Sequence, residues 1–281
     1  MKHLGIATRW IVILNGLVAA VSLYFQFKNG PDGFNPVQQQ MGLRMDQFWN
    51  GAWWQIFTNT WVHAEFRGMG VLHIVFNMMT LAGFGTVLER ELGVRRYLVL
   101  YLLSGLAGNL FVMAEATIRW LAFGQPQLLH VSVIGASASV FGVVAAFSLI
   151  YPDVKLYLML IPIPIRAVTA VRGLVVASVI FMLTSTMDFI AHSAHIGGAL
   201  VGGLLMWVWL RRGGFSPARH EFEIETGVPP DLDEALAVSL MSRTEILSEL
   251  ERILSKAARE GADSLTSRER KILRRGQAML K

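Results

Sequence analysis

Residues 133–142 read VIGASASVFG and place two serines among glycine and other small residues inside a strongly apolar stretch. Two interpretations are open. Small residues let membrane helices pack closely, and a serine in a membrane helix commonly bonds to its own helix. Alternatively, a serine at a helix start could act as a nucleophile, because the unpaired N–H groups and positive dipole end favour an anion there. The rest of the sequence decides between these interpretations.

The composition is that of a membrane protein. Of 281 residues, 53% are hydrophobic and 16% are charged, whereas charged residues make up about a quarter of ordinary soluble domains. Cysteine is absent, which excludes a disulfide framework, a thiolate metal site and a catalytic cysteine. The net charge of +5 comes without a dense basic tract before the C-terminal end. It indicates basic cytoplasmic loops and no nucleic-acid partner.

The apolar segments predict an all-α membrane protein with six transmembrane helices, since a span needs about 20 mostly apolar residues. The predicted spans are 10–27, 71–88, 97–115, 134–151, 168–187 and 194–210. Residues 28–70 are rich in tryptophan, which favours the membrane interface, so short amphipathic helices are expected in this first loop. Residues 151–168 are apolar but contain three prolines, which predicts a connection along the interface rather than a span.

Lys and Arg concentrate before the first span, between spans two and three, between four and five, and after six. By the positive-inside rule both termini are cytoplasmic in a multi-pass protein of the cell membrane. The composition then divides the chain into a membrane domain at 1–212, a polar linker at 213–230 and a cytoplasmic helical hairpin at 231–281. The hairpin is predicted from an amphipathic helix at 231–260, a C-terminal cap at Gly261 and a capping box of Thr266 with Glu269.

Polar side chains inside predicted spans are costly and are therefore functional candidates. Ser137 lies in the first turn of the fourth span, His195 opens the sixth, and His73 and Asn77 share one face of the second. Together they supply a nucleophile, a base and donors for an oxyanion hole. The Ser137 N–H, the Asn77 amide and a His73 ring N–H are the expected donors. Glu89 ends the second span, where it is expected to snorkel to the interface.

Three motifs in this order resemble the rhomboid intramembrane serine proteases. The G-x-S-G nucleophile motif of that family resembles GASA at 135–138, its H-x-x-x-N motif resembles HIVFN at 73–77, and its A-H-x-x-G motif resembles AHIGG at 194–198. The likeness covers about residues 45–212. It implies a six-helix rhomboid bundle with a Ser137–His195 dyad, so that Asp188 need not be a third catalytic member and is expected in a loop. Ser139, the competing serine, aligns with a small packing position.

The resemblance implies an endopeptidase that cuts transmembrane protein substrates near the outer membrane boundary and works in the lipid bilayer without a cofactor or metal. The alternative is a proteolytically inactive relative that binds transmembrane clients, although such members typically lose the serine or the histidine. The oligomeric state and the substrate are not given by the sequence. Two departures from the family pattern stand out: Ala138 replaces the second motif glycine, and Gln55 replaces an arginine of the first loop. Small residues facing Ala138 are expected at Gly83, Gly85, Gly197 and Gly198.

Overall fold

The computed structural model describes residues 4–30, 34–63, 69–158, 161–184, 189–213, 243–261, 264–266, 268–270, 272–273 and 276. Its contacts divide the chain into two compact units, Met1–Ala218 and Arg219–Lys281. Three parts of the sequence interpretation lie outside the described residues: Asp188, residues 214–230 of the linker, and residues 231–242 of the tail helix.

The first unit is built almost entirely of helices. Its helices are α1 (Ile6–Asn29), α2 (Pro36–Met41), α3 (Met45–Trp49), α4 (Gln55–Thr58), α5 (Met69–Thr80), α6 (Thr86–Phe123), α7 (Ser137–Ile150), α8 (Ala167–Thr184) and α9 (Phe189–Arg211). Short 3₁₀ turns cover Asn59–Trp61 and Pro126–His130, and a π-helical stretch, Leu81–Gly85, joins α5 to α6. The first loop therefore contains the short helices that its aromatic pattern predicts.

Apolar length identifies the membrane segments. Four helical stretches are long and apolar enough to cross a membrane: Ile6–Asn29, Gly70–Phe123, Ala167–Thr184 and His192–Arg211. Ser137–Ile150 is apolar but shorter. The helical, multi-pass membrane class is thereby confirmed, while the count of six spans stays a prediction.

Close contacts between small residues hold α6, α7 and α9 together. Gly202 of α9 lies directly against the backbone of Gly142 in α7, so a side chain there would overlap with it. One turn earlier, Gly198 lies against the carbonyl of Ala138. Backbones that approach this closely maximise van der Waals contact where no hydrophobic effect drives helix association. α7 is consequently the most enclosed helix, and its first turn is fixed from both sides.

The start of α1 is capped by Glu89 of α6. Its carboxylate accepts hydrogen bonds from the Ala7 N–H (2.9 Å), the Thr8 N–H (2.8 Å) and the Thr8 hydroxyl (2.8 Å), and the residue is buried. The expectation that Glu89 snorkels to the interface was wrong. Three donors at the positive end of a helix replace the water that snorkelling would have reached.

The proline-containing connection after α7 forms a two-stranded antiparallel hairpin of β1 (Lys155–Leu158) and β2 (Ile161–Arg166). Lys155 pairs with Arg166 and Leu156 with Ile165. A proline is tolerated in a strand whose N–H side faces away from its partner. The sequence predicted a non-spanning connection here but not its strands.

In the second unit, α10 (Arg243–Glu260) buries Ile246 and Ile253 against Leu265 and Ile272. Gly261 ends the helix at a φ of 85°, and its N–H donates to the Ala257 carbonyl at 3.0 Å. The Thr266 N–H donates to Glu269 (2.9 Å), and the Glu269 N–H donates to the Thr266 hydroxyl (3.2 Å). These are the reciprocal bonds of a capping box.

Candidate active site

The turn before α7 sets the position of Ser137. Gly135 has a φ of 119°, a region that side chains rarely adopt, and α7 begins two residues later at Ser137. A backbone N–H in the first turn of a helix has no acceptor within that helix. The Ser137 N–H is therefore available to a developing negative charge, and the hydroxyl stands at the positive end of the helix dipole.

His195 of α9 meets Ser137 directly. Its Nε2 lies 2.9 Å from the Ser137 Oγ, and both residues are partly exposed. The His195 ring stacks on Phe141, one turn along α7 from Ser137, with centroids 4.1 Å apart and planes 4° from parallel. This stacking fixes the ring plane, so the histidine keeps the nitrogen directed at the hydroxyl. The distance lies within the range required of a nucleophile and its base.

Ser139 occupies a different environment, although it is two residues away on the same helix. It is 1% exposed and lies against Gly105 of α6. Within the described part of the chain its Oγ has no hydrogen-bond partner. Residues two positions apart on a helix point to nearly opposite faces, so Ser139 faces α6 while Ser137 faces α9.

His73 lies beside the turn that precedes Ser137. A Cβ on Gly135 would come within 2.8 Å of His73 Cε1 and 3.2 Å of its Nε2. Only glycine accommodates both the positive φ and this approach. The second-span histidine is thus next to the first turn of α7, on the side of Gly135.

Asn77 joins the same group through His63 of the first loop. The Asn77 amide nitrogen lies 3.3 Å from His63 Nε2, and the His63 and His73 rings are 5.4 Å apart. Asn77 also lines a cavity of ≈ 170 Å³ together with Phe141, the residue on which His195 stacks. An amide nitrogen carries two hydrogens, so the contact with His63 leaves one for another acceptor.

His192 lies in the first turn of α9, which starts at Phe189. Its ring stacks on Phe181 at 5.1 Å and stands edge-on to the His195 ring at 6.0 Å. In the described ranges, no group of three or more His, Asp or Glu residues is arranged to hold a metal ion.

Sequence reasoning missed the residues that hold the loop before Ser137. Leu43 and Val133 exchange two backbone hydrogen bonds (3.0 and 2.8 Å), and the Gly135 N–H donates to the Asn59 carbonyl (3.0 Å). The Asn59 and Asn109 side chains pair with each other. An asparagine in the middle of an apolar span was the available signal for Asn109.

Gln55, which stands where the family has an arginine, is buried inside the first loop. Its Oε1 accepts from the Arg44 N–H at 3.1 Å, and its Nε2 donates to Gln47 Oε1 at 2.6 Å. Arg44 follows Leu43, whose backbone pairs with Val133. The neutral amide thus supports the loop with its own donor and acceptor.

Comparison with known proteins relates the chain to one family. A family model described as a rhomboid domain matches residues 50–212. The chain is 32% identical over 154 residues to rhomboid protein 1, mitochondrial, of Saccharomyces cerevisiae, covering 54% of this chain and 40% of that protein. It is 30% identical over 185 residues to RHOMBOID-like protein 4 of Arabidopsis thaliana, covering 62% of this chain and 41% of that protein.

A third relative is the presenilin-associated rhomboid-like protein A, mitochondrial, of Danio rerio, 33% identical over 144 residues. That match covers 50% of this chain and 35% of the relative. In all three pairs the chain spans less than half of the relative's length. The matched family model, by contrast, covers more than half of this chain. The chain therefore belongs to the rhomboid family.

Proposed function

We propose that this protein is an intramembrane serine endopeptidase in which Ser137 is the nucleophile and His195 the general base. The observation that carries the proposal is the 2.9 Å contact between Ser137 Oγ and His195 Nε2. Nucleophile and base come from separate helices, and each is fixed in place by close packing of its own helix. The proposed substrates of this protease are transmembrane proteins.

The reaction begins when Ser137 Oγ attacks the carbonyl carbon of the scissile peptide while His195 Nε2 takes the hydroxyl proton. The tetrahedral intermediate collapses as His195 donates that proton to the departing amine nitrogen, which breaks the C–N bond and leaves an acyl ester on Ser137. Water then attacks the ester and gives a proton to His195. Release of the carboxylic acid returns the proton to Ser137 Oγ.

The oxyanion of each intermediate needs donors at the start of α7. The Ser137 N–H, a His73 ring N–H and the free hydrogen of the Asn77 amide are proposed to supply them. His73 is beside Gly135, and Asn77 is held in the same group through His63. Donors fixed in advance in a site of low dielectric stabilise the charge without reorganisation.

The substrate must enter the site in extended form, because a helix uses its carbonyls in its own hydrogen bonds. α7 has 14 residues, a length of about 21 Å against about 30 Å of hydrocarbon. A short helix of this kind keeps Ser137 below the membrane surface. We expect clients with glycine, alanine or proline near the cut to be preferred, and the cut to lie near the outer membrane boundary.

We also propose that the membrane domain, 1–212, spans the membrane six times with both termini in the cytoplasm. The stretch Gly70–Phe123 has 54 residues, which at about 1.5 Å per residue is too long for one crossing. Gly93 has non-helical angles within α6, with φ 74° and ψ 159°. A break there separates spans two and three, and α7 supplies the fourth. The linker, 213–230, and the hairpin, 231–281, then lie in the cytoplasm.

The test is cleavage of a transmembrane reporter with a helix-destabilised segment, in the same membrane, by the wild type and by Ser137→Ala. The wild type should cleave and react with a fluorophosphonate, and Ser137→Ala should do neither. Ser139→Ala is the matched control and should keep both activities. A folded wild type that binds the reporter but neither cleaves nor is labelled would favour the client-binding alternative.

A further inference from the structure

We propose that Asn109 of α6 is a positioning residue for this reaction. It acts through Asn59 of the first loop, which holds Gly135 and thereby the turn that carries Ser137. The inference rests on the proposed function, because it assigns a role in placing that nucleophile and its oxyanion donors.

The first step is a reciprocal amide pair. Asn59 Nδ2 donates to Asn109 Oδ1 (2.8 Å), and Asn109 Nδ2 donates to Asn59 Oδ1 (2.9 Å). Asn109 Nδ2 also donates to the Ile56 carbonyl (2.8 Å). Both asparagines are at least 95% buried, at 1% and 4% exposure. Because a buried unpaired amide is costly, each side chain fixes the orientation of the other.

The second step leads from the loop to the turn. The Asn59 carbonyl accepts from the Gly135 N–H (3.0 Å), while Val133 exchanges two backbone bonds with Leu43. The segment before α7 is thus tied to the first loop at two points. The hydrogen bond to Asn59 is the nearer of the two to Ser137. The side chain of Asn59 is in turn held by Asn109 of α6.

The third step concerns what Gly135 positions. It lies against the His73 ring and stands two residues before Ser137. A shift of Gly135 therefore moves the Ser137 N–H relative to His73. Misplacement of reacting groups by about 1 Å can slow an enzyme about 10²-fold.

The direction of the Asn109 bonds distinguishes this role from helix packing. The three hydrogen bonds described for its side chain go to Asn59 and Ile56 in the first loop. A polar residue that only joined transmembrane helices would bond to a neighbouring long helix of the bundle instead. Asn109 therefore connects the helical bundle to the loop that contacts the nucleophile turn.

The experiment compares Asn109→Ala, Asn59→Ala and the double variant in the full-length protein. Ser104→Ala is the matched control, since Ser104 is buried on the same helix but contacts Gly142 rather than the loop. For reporter cleavage, kcat should fall about 10²-fold in Asn109→Ala with KM nearly unchanged. Asn59→Ala keeps its backbone carbonyl, and its kcat should fall by a similar factor. The kcat of the double variant should be no lower than that of the slower single variant. Ser104→Ala should retain the wild-type kcat.

Hydrogen–deuterium exchange gives a second readout that does not depend on turnover. The Gly135 amide should exchange faster in Asn109→Ala than in the wild type, and should stay protected in Ser104→Ala. If Asn109→Ala does not fold, Asn59→Ala tests the same tie from the loop side.

Wild-type kcat and an unchanged Gly135 amide in folded Asn109→Ala would overturn the inference. So would effects of the two single variants that simply multiply in the double variant. The proposed function fails separately, if the wild type is neither labelled nor active. In that case the exchange of Gly135 still decides whether Asn109 holds the turn.

Discussion

The two ends of α7 bury polar groups in opposite ways. At its C-terminal end Tyr151 donates to Glu91 (2.7 Å), and nearby in sequence Glu89 accepts three hydrogen bonds from the start of α1. At its N-terminal end Ser137 and His195 are partly exposed. Among the described residues, buried polar atoms without a hydrogen-bond partner occur at both ends, at His63 Nδ1 and His192 Nδ1 here and at the Tyr97 hydroxyl near Glu89.

The difference separates two uses of a polar residue in a membrane. Glu89 uses its carboxylate on donors within the chain, so it holds a helix in place and offers nothing to a ligand. The Ser137 end keeps nitrogen atoms and a hydroxyl that substrate or water can still reach. The predictions below test each end.

In this comparison the largest effect is expected from the proposed oxyanion donors. Asn77→Ala should lower kcat for reporter cleavage by about 10²–10³, the loss found when one such donor is removed. His73→Ala should act similarly, while fluorophosphonate labelling of Ser137 remains measurable in both. If both variants keep the wild-type kcat, backbone N–H groups alone stabilise the oxyanion.

At the other end, Glu89→Ala should destabilise the fold and leave the chemistry intact. Removing a buried acceptor of three hydrogen bonds should lower the free energy of unfolding by about 2–3 kcal/mol. Thermal unfolding in detergent measures this, and Glu89→Gln, which keeps one acceptor oxygen, should fall between the wild type and Glu89→Ala. A folded Glu89→Ala that loses fluorophosphonate labelling would contradict the separation of the two ends.

The sequence predicted the parts of the fold that depend on local pattern. Apolar length predicted helical membrane segments, among them a fourth span at 134–151 with Ser137 in its first turn, and the observed helix begins three residues later, at Ser137. Polar residues in predicted spans singled out His73, Asn77 and His195, which the structure brings to the start of α7. Their catalytic roles stay predictions.

Contacts between distant segments were not predictable in this way. Glu89 meets residues 81 and 82 positions away, and Asn59 meets Asn109 across 50 positions. The periodicity of a sequence does not specify which distant residue a side chain will contact. The same reason explains the neighbours of Ala138. Of the four glycines expected beside it, Gly198 is in contact, and Gly108 of α6, which was not expected, is the other.

A smaller effect is expected at Ala138, one residue after Ser137. Its methyl lies against Gly108 and is accommodated because that residue has no side chain, while its backbone lies against Gly198. Ala138→Gly should therefore keep activity, with a loss of about 1 kcal/mol or less from helix propensity. Gly198→Ala is the contrasting variant, since its methyl would overlap the Ala138 carbonyl, and it should unfold at lower temperature. Inactive wild type with an active Ala138→Gly would mean that the methyl blocks the site.

The smallest effect is expected in the second unit, where Glu269 resembles Glu89 as a carboxylate that caps a helix start. The backbone N–H of Thr266, followed by the Lys256 ammonium at 3.0 Å, lowers the pKa of Glu269 to about 2 from its ordinary 4.5. A lowered pKa in the folded state adds stability that is fully present above pH 4.5 and is lost as the pH falls towards 2.

Hydrogen exchange of Arg243–Glu260 in the full-length protein should thus be steady, after correction for intrinsic rates, from pH 7 to about 5. It should then accelerate in more acidic buffer. Glu269→Gln should remove this acid dependence while Ser137 labelling at neutral pH is unaffected. The same acid dependence of α10 exchange in Glu269→Gln as in the wild type would show that the charge of Glu269 does not stabilise this unit.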